Sequence, residues 1–301
     1  MTSGDTTDFA ALCAAVCPGF RPLHRVAARK SELLAGDVGG APAIAKRLAR
    51  PNAVWAWYLR RELAIYRAFE SSPPALRVPR LLAADDERGI LVIERLAGPP
   101  VAIRRRPAAA LSAADVTALV ELHRRIAAWP GSFPSDPPPP AVHRQLRARL
   151  LEDPTAPRAW FREGVARCAA RRTLDADTAA LIGDALAAHD AIAPSHGDLL
   201  LRNAIRDGSR IGLVDWECAG PHLADWDLAL VWIQLADGAR GPIDDEVALG
   251  PPARRRAFLG LVAFALAREV SFLRSFPAAS NRAALARLRA ELADACAALA
   301  A

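Results

Sequence analysis

Apolar and polar positions alternate between strand and helix periods along this chain. The patch Phe9–Val16 reads as a first amphipathic helix. Glu32–Val38 and Pro42–Leu48 flank a Gly39-Gly40 turn and predict a β-hairpin. Pro51-Asn52 then opens a helix to about Phe69, with Asn52 as N-cap, and Pro73-Pro74 stops it. A second hairpin is predicted over Val78–Ala84 and Ile90–Glu94, around the charged turn Asp85–Gly89. Leu96-Ala97-Gly98-Pro99-Pro100 breaks regular structure and is the candidate hinge.

Beyond the hinge the period becomes helical. Ser112 with Asp115 forms a capping-box pattern ahead of the stripe Val116, Leu119, Leu122 and Ile126, which ends at Trp129-Pro130. A proline-rich surface loop covers Pro130–Pro140, followed by helices near Ala141–Leu151, Arg158–Arg171 and Asp175–Asp190. Asn203–Arg206 and Ile211–Val214 form a short hairpin about Asp207-Gly208-Ser209. After Asp225 the chain is mostly helical, with breaks at Gly238–Pro242 and Gly250–Pro252.

Composition narrows the class. With 52% apolar and 24% charged residues over 301 positions, the chain is globular and long enough for one large or two modest domains. Its longest apolar run, Phe258–Ala267, is about half of what spans a bilayer, so no membrane partner is expected. Asp5 and Asp8, with no early basic residue, make Phe9–Val16 a poor secretory signal. Five scattered cysteines argue against a disulfide framework and for a reducing compartment, here the cytoplasm. Cys13 and Cys17 lack the further ligands of a zinc site. The formal charge of +6 invites a nucleic-acid reading, but the arginines are dispersed, with Arg104–Arg106 and Arg254–Arg256 as short clusters and no aromatic-interleaved basic stripe. No nucleic-acid partner is expected. Of the 39 lysines and arginines only Lys30 and Lys46 are lysines, which marks them as places where arginine would not serve.

Three groups carry chemistry. In Ser195–Asn203, Asp198 offers a carboxylate to accept or orient a hydroxyl proton, and Asn203 an amide oxygen for a hard cation such as Mg²⁺. The hairpin after Asn203 returns Asp215 of Asp215-Trp216-Glu217 beside it, so that carboxylate and amide can share the cation. Phosphoryl transfer needs little more than such positioning and charge neutralisation. The third group is Lys46 and Glu62. Glu62 falls on the stripe Trp55, Leu59, Tyr66, Phe69, where a buried carboxylate needs a partner, and Lys46 on the preceding strand can supply it.

The spacing His196-Gly197-Asp198-x4-Asn203, an apolar strand and Asp215-Trp216-Glu217 resembles the aminoglycoside phosphotransferase/choline kinase family. Ile44-Ala45-Lys46, Arg61-Glu62-x3-Tyr66, Leu91–Gly98, Leu122-His123 and Asp227-Leu228-Ala229 extend the likeness over about residues 32–231. The resemblance implies an α+β, protein-kinase-like fold of two lobes, a small antiparallel-sheet lobe with one helix (residues 1–96) and a larger, mostly helical lobe (97–301). It implies Asp198 as catalytic base, Asn203 and Asp215 as Mg²⁺ ligands, and Lys46, held by Glu62, on the phosphates of ATP, with GTP as the alternative nucleotide. Glu94, Arg95 and Leu96 would receive the base through their backbone, and His196 and Asp227 would brace the catalytic loop. Glu217 would either lie near a second metal or be purely supportive. The implied reaction is phosphate transfer from ATP to a hydroxyl of a small molecule: an antibiotic, amino alcohol or sugar. Val26–Ser31, where the family's phosphate-covering loop belongs, has no glycine. That departure keeps a second expectation open, a non-catalytic nucleotide-binding or regulatory module on the same fold. Asp237, Asp244, Asp245 and Glu246, set against Arg254–Arg256 and Arg268, do not compel a cationic substrate.

Overall fold

The computed structural model describes residues 4–26, 30–49, 52–104, 108–188, 191–275 and 281–301. Ala27-Ala28-Arg29 of the expected phosphate-covering stretch, Pro51 before the long helix, Arg105-Arg106 and Asp190 lie outside the described residues.

Strands β1 (Phe20–Val26), β2 (Ser31–Val38), β3 (Ala41–Leu48), β4 (Leu81–Asp85) and β5 (Ile90–Glu94) form an antiparallel sheet in the order β1-β2-β3-β5-β4. Both N-terminal hairpins are present. The second begins at Leu81 rather than Val78 because Arg77 bridges to Gly212 in the other lobe, its carbonyl accepting from Leu213 N–H at 3.0 Å. The two-residue strand period sorts the side chains between two helices. Ala43, Ala45, Ile90 and Val92 meet Phe9 and Cys13 of α1 (Gly4–Val16), while Leu91 and Ile93 pack with Leu63, Tyr66 and Phe69 of α2 (Ala53–Ser71). The small lobe thus carries a helix on each face. Lys46, one position past Ala45, points to the α2 side. Asn52 starts α2 as expected, its Oδ1 accepting from the Val54 and Trp55 N–H groups at 3.0 and 3.3 Å, a cap worth about 1 kcal/mol.

The hinge crosses at Gly98, whose φ of +96° and position 1.8 Å (at a would-be Cβ) from the Arg206 carbonyl oxygen admit only glycine. Beyond it, Pro99 and Val101 bond the backbone of β7 (Ala204–Asp207), which pairs with β8 (Arg210–Leu213). The connection is thereby strapped to the hairpin that carries the site.

The large lobe contains α3 (Ala113–Ala127), α4 (Pro140–Arg149), α5 (Pro157–Ala170), α6 (Ala176–Ala187), α7 (Trp226–Trp232), α8 (Gly241–Ala248), α9 (Pro252–Arg274) and α10 (Arg282–Ala300). The apolar run Phe258–Ala267 is the buried middle of α9, wrapped by α6, α7 and α10. Among the described residues no helix is long and apolar enough to cross a membrane. In this lobe the pairing of β6 (Ile192–Ser195) with β9 (Gly220–Leu223), where Pro194 faces Pro221, was not foreseen. Four residues are too few to show alternation, and the prolines read locally as loop.

Candidate active site

Residues 196–203 form a loop whose backbone is fixed from beneath. One carboxylate of Asp227 accepts from His196 N–H at 2.7 Å and from Gly197 N–H at 3.0 Å. Trp226 Nε1 donates to the Gly197 carbonyl at 3.0 Å, and Gln234 Oε1 accepts from Leu201 N–H at 2.9 Å. Gly197 has φ +80°, and a Cβ there would stand 2.3 Å from the Cys218 carbonyl oxygen. The buried His196 ring donates through Nε2 to the Val214 carbonyl at 3.1 Å and lies against Trp216. It therefore ties the loop to the strand end just before Asp215. Trp226 does more than pack, and Gln234, unnoticed in the sequence, is part of the same brace.

The loop and hairpin bring Asp198, Asn203 and Asp215 together. Asn203 Nδ2 donates to the Asp198 carbonyl at 2.9 Å and lies 3.4 Å from its Oδ2. That fixes the amide with its oxygen turned away from Asp198. Val214 N–H donates to the Asn203 carbonyl at 3.0 Å, so Asp215 follows one residue beyond the pairing, in a left-handed conformation at φ +67°. An amide oxygen beside carboxylates is an all-oxygen donor set that fits a hard divalent cation. A wider carboxylate group, Glu62, Asp215 and Glu217, presents oxygens within 4.8 Å of one another.

Lys46 sits among these carboxylates. Its Nζ lies 2.6 Å from Glu62, 2.9 Å from Asp215 and 3.7 Å from Glu217, so the ion pair expected from the helix stripe forms. Burial works against the Lys46 charge, but Asp215, Glu62 and Glu217 outweigh it and hold the ammonium well above the usual lysine range. Burial likewise opposes the Asp215 charge, yet Lys46 and Lys30 keep its carboxyl well below the usual range. For Glu62, burial prevails over the pull of Lys46 and, with the like charges of Asp215 and Glu217, pushes its carboxyl up to about 7. Lys30 pairs with Glu217 and lies 4.9 Å over the Trp55 ring. No local pattern pointed to it. Its one signal was the scarcity of lysine.

At the hinge, Glu94 N–H donates to Arg80 and Arg95 N–H to Pro42, both at 2.9 Å. Of the three amides expected to meet a purine base, these two are engaged within the sheet, leaving Leu96 N–H and the carbonyls of the stretch. The Glu94 side chain turns to Arg77 and Arg80. Asp225, at the start of α7, makes no cap bond. Arg254 grips it with two contacts of 2.8 Å, and His123 lies 3.5 Å away. The cluster Arg254–Arg256 is thus split, its first member locked inside. Two of the charges weighed as possible cleft lining are likewise spent internally, Glu246 on Arg124 and Arg254, and Arg268 on Glu152 and Glu269, whereas Asp237 pairs with Arg240 but stays exposed.

His222, fully buried beneath Gly197, has its imidazole pushed down to about 4 by burial. The folded state resists the proton that the unfolded chain accepts near pH 6.5. Stability should therefore be full above about pH 6.5 and fall by roughly 3 kcal/mol as pH drops to about 4. Denaturant midpoints across that window should show a steeper loss for the wild type than for His222→Gln. Equal slopes would contradict the assignment.

Solved structures share this architecture over nearly the whole chain. A choline/ethanolamine kinase family protein from Mesorhizobium loti is 21% identical, with a TM-score of 0.59 and 98% of each chain covered. The macrolide 2'-phosphotransferase MphH from Brachybacterium faecium is 16% identical, with a TM-score of 0.60 and 97% of each chain covered. A thermostable mutant of aminoglycoside phosphotransferase APH(4)-Ia, in a ternary complex with ADP and hygromycin B, is 15% identical with a TM-score of 0.56, covering 98% of this chain and 97% of that one. These likenesses establish the two-lobed kinase-like fold. None of the curated proteins matches the chain significantly. The sequence profile of the phosphotransferase enzyme family matches residues 26–258, and the chain belongs to that family.

Proposed function

We propose that this protein is a small-molecule kinase that moves the γ-phosphate of ATP, with GTP as an alternative donor, to an alcohol hydroxyl. The observation that carries this reading is the pairing of Asp215 with Lys46 and its buried partner Glu62, next to Asn203, which accepts from Val214 N–H and is held to Asp198. Residues 1–96 would supply the nucleotide side of the cleft, with Lys46 on the phosphates and the backbone of Glu94–Leu96 along the base. Residues 97–301 would supply the acceptor and the catalytic loop. Asp198 takes the proton of the attacking hydroxyl, and Lys46 neutralises charge on the phosphates. Asn203 and Asp215 would hold Mg²⁺, which when bound neutralises phosphate charge and aligns the terminal phosphoryl group. The five cysteines, all unpaired and four of them buried, are in keeping with a reducing cytoplasm.

The acceptor class follows from a screen. Purified protein with Mg²⁺ and ATP or GTP is offered a panel of antibiotics, amino alcohols and sugars, and products are read by the mass gain of one phosphate. The reading expects at least one phosphorylated product. Nucleotide binding with no transfer to any acceptor would instead favour the non-catalytic nucleotide-binding module.

A further inference from the structure

Lys30 stands immediately before β2, within the glycine-free stretch Val26–Ser31 where the family's phosphate-covering loop belongs. Its side chain is about two-thirds buried, and it reaches across the lobes to Glu217, 187 residues away. The ammonium also lies against the face of Trp55 in the first turn of α2. Glu217 is shared: one carboxylate oxygen meets Lys30, and the other lies 3.7 Å from Lys46. In a chain that otherwise uses arginine for every basic side chain but histidine, its two lysines thus converge on one carboxylate group. Lysine offers a compact ammonium that can pivot between partners, whereas a guanidinium brings a broad planar fork.

We propose that Lys30 is a second phosphate-binding lysine, which substitutes a side-chain ammonium for the missing glycine-rich backbone cradle and is held by Glu217 until nucleotide phosphates take it over. The inference rests on the kinase reading and deepens it. Glycine-rich loops grip phosphates through backbone N–H groups, and a loop whose residues all carry side chains approaches less closely. A mobile ammonium on a four-carbon stem restores the missing positive charge. Trp55 gives it a resting surface, and Glu217 competes with the nucleotide for it.

The test is calorimetric titration with ADP and with adenosine, in the presence of a chelator so that cation binding at Glu217 does not contribute. Lys30→Met should weaken ADP about tenfold or more, the scale of one charge-assisted contact, and leave adenosine unchanged. Glu217→Gln should bind ADP more tightly than the wild type, and the double variant should lose that gain. Unchanged ADP affinity in Lys30→Met overturns the proposal, as does an equal loss for adenosine. A Glu217→Gln gain that is undiminished in the double variant comes through Lys46, which lies 3.7 Å from Glu217, and overturns it too. A wild type that fails to bind ADP even with Mg²⁺ counts against the kinase reading itself, whereas normal wild-type binding with an indifferent Lys30→Met counts against this inference alone.

Discussion

Asp198→Asn is expected to lower turnover by about 10²–10⁴-fold, the scale on which a positioned general base contributes, with little change in nucleotide affinity. The separation follows from how the loop is built. Asn203, one of the two proposed cation ligands, is oriented chiefly through the backbone carbonyl of Asp198, at 2.9 Å, and less by its carboxylate, at 3.4 Å. The isosteric amide leaves that backbone bond in place and keeps the loop anchored on Asp227 and Gln234. What it removes is the oxygen proposed to take the hydroxyl proton. The chemical step should therefore suffer while the proposed phosphate contact of Lys46 remains, giving a fall in kcat with KM for ATP nearly constant. Asp215→Asn should behave differently: it removes charge facing Lys46 at 2.9 Å and weakens the proposed cation site, so it should also raise KM for ATP. Steady-state kinetics on both variants, with the acceptor found by screening, check the pair. Less than a tenfold drop in Asp198→Asn would remove that residue from the base role.

Sequence legibility followed how local each constraint is. Glu62 was readable because a carboxylate interrupts an apolar helical stripe, and burial without a partner is costly. Lys46 followed as its nearest lysine, and the structure pairs them at 2.6 Å. The Asn203–Asp215 juxtaposition was readable because a tight hairpin fixes its own register. Gln234 carried the same kind of signal as Glu62, a polar residue inside the apolar run Leu228–Leu235, yet besides the Leu230 carbonyl one turn back its partners are the backbone groups of Leu199 and Leu201, more than thirty residues away. Lys30 and Glu217, and Arg254 and Asp225, are joined only by tertiary folding. Neither helical nor strand period relates such positions, so no window of sequence displays them. The β6–β9 ladder was hidden for another reason: its strands are short and each contains proline, so local propensity opposed the state that tertiary packing selects.

Asp227→Asn should cost more than its isosteric shape suggests. Both carboxylate oxygens of Asp227 are used as acceptors, one for His196 N–H and one for Gly197 N–H, and the residue is fully buried. Asparagine has one acceptor and one NH₂ group, so whichever way it turns, a donor faces a donor. One loop amide loses its bond and the new NH₂ group has none, each a buried loss of about 1–3 kcal/mol. The expected destabilisation is about 3 kcal/mol, which for a chain of this size lowers Tm by roughly 6–12 °C. Activity should fall further than stability, because His196 and Gly197 set the approach to Asp198 and Gly197 has no room to move: the Cys218 carbonyl closes one side. A misplacement of about 1 Å at the base is enough to cost on the order of 10²-fold in rate. Asp227→Ala removes both acceptors without adding a donor and should destabilise to a similar degree, so asparagine offers no rescue. Thermal unfolding and turnover, measured below the variants' own transitions, decide the matter: an Asp227→Asn protein with wild-type Tm and wild-type rate would show that the carboxylate does not hold the catalytic loop.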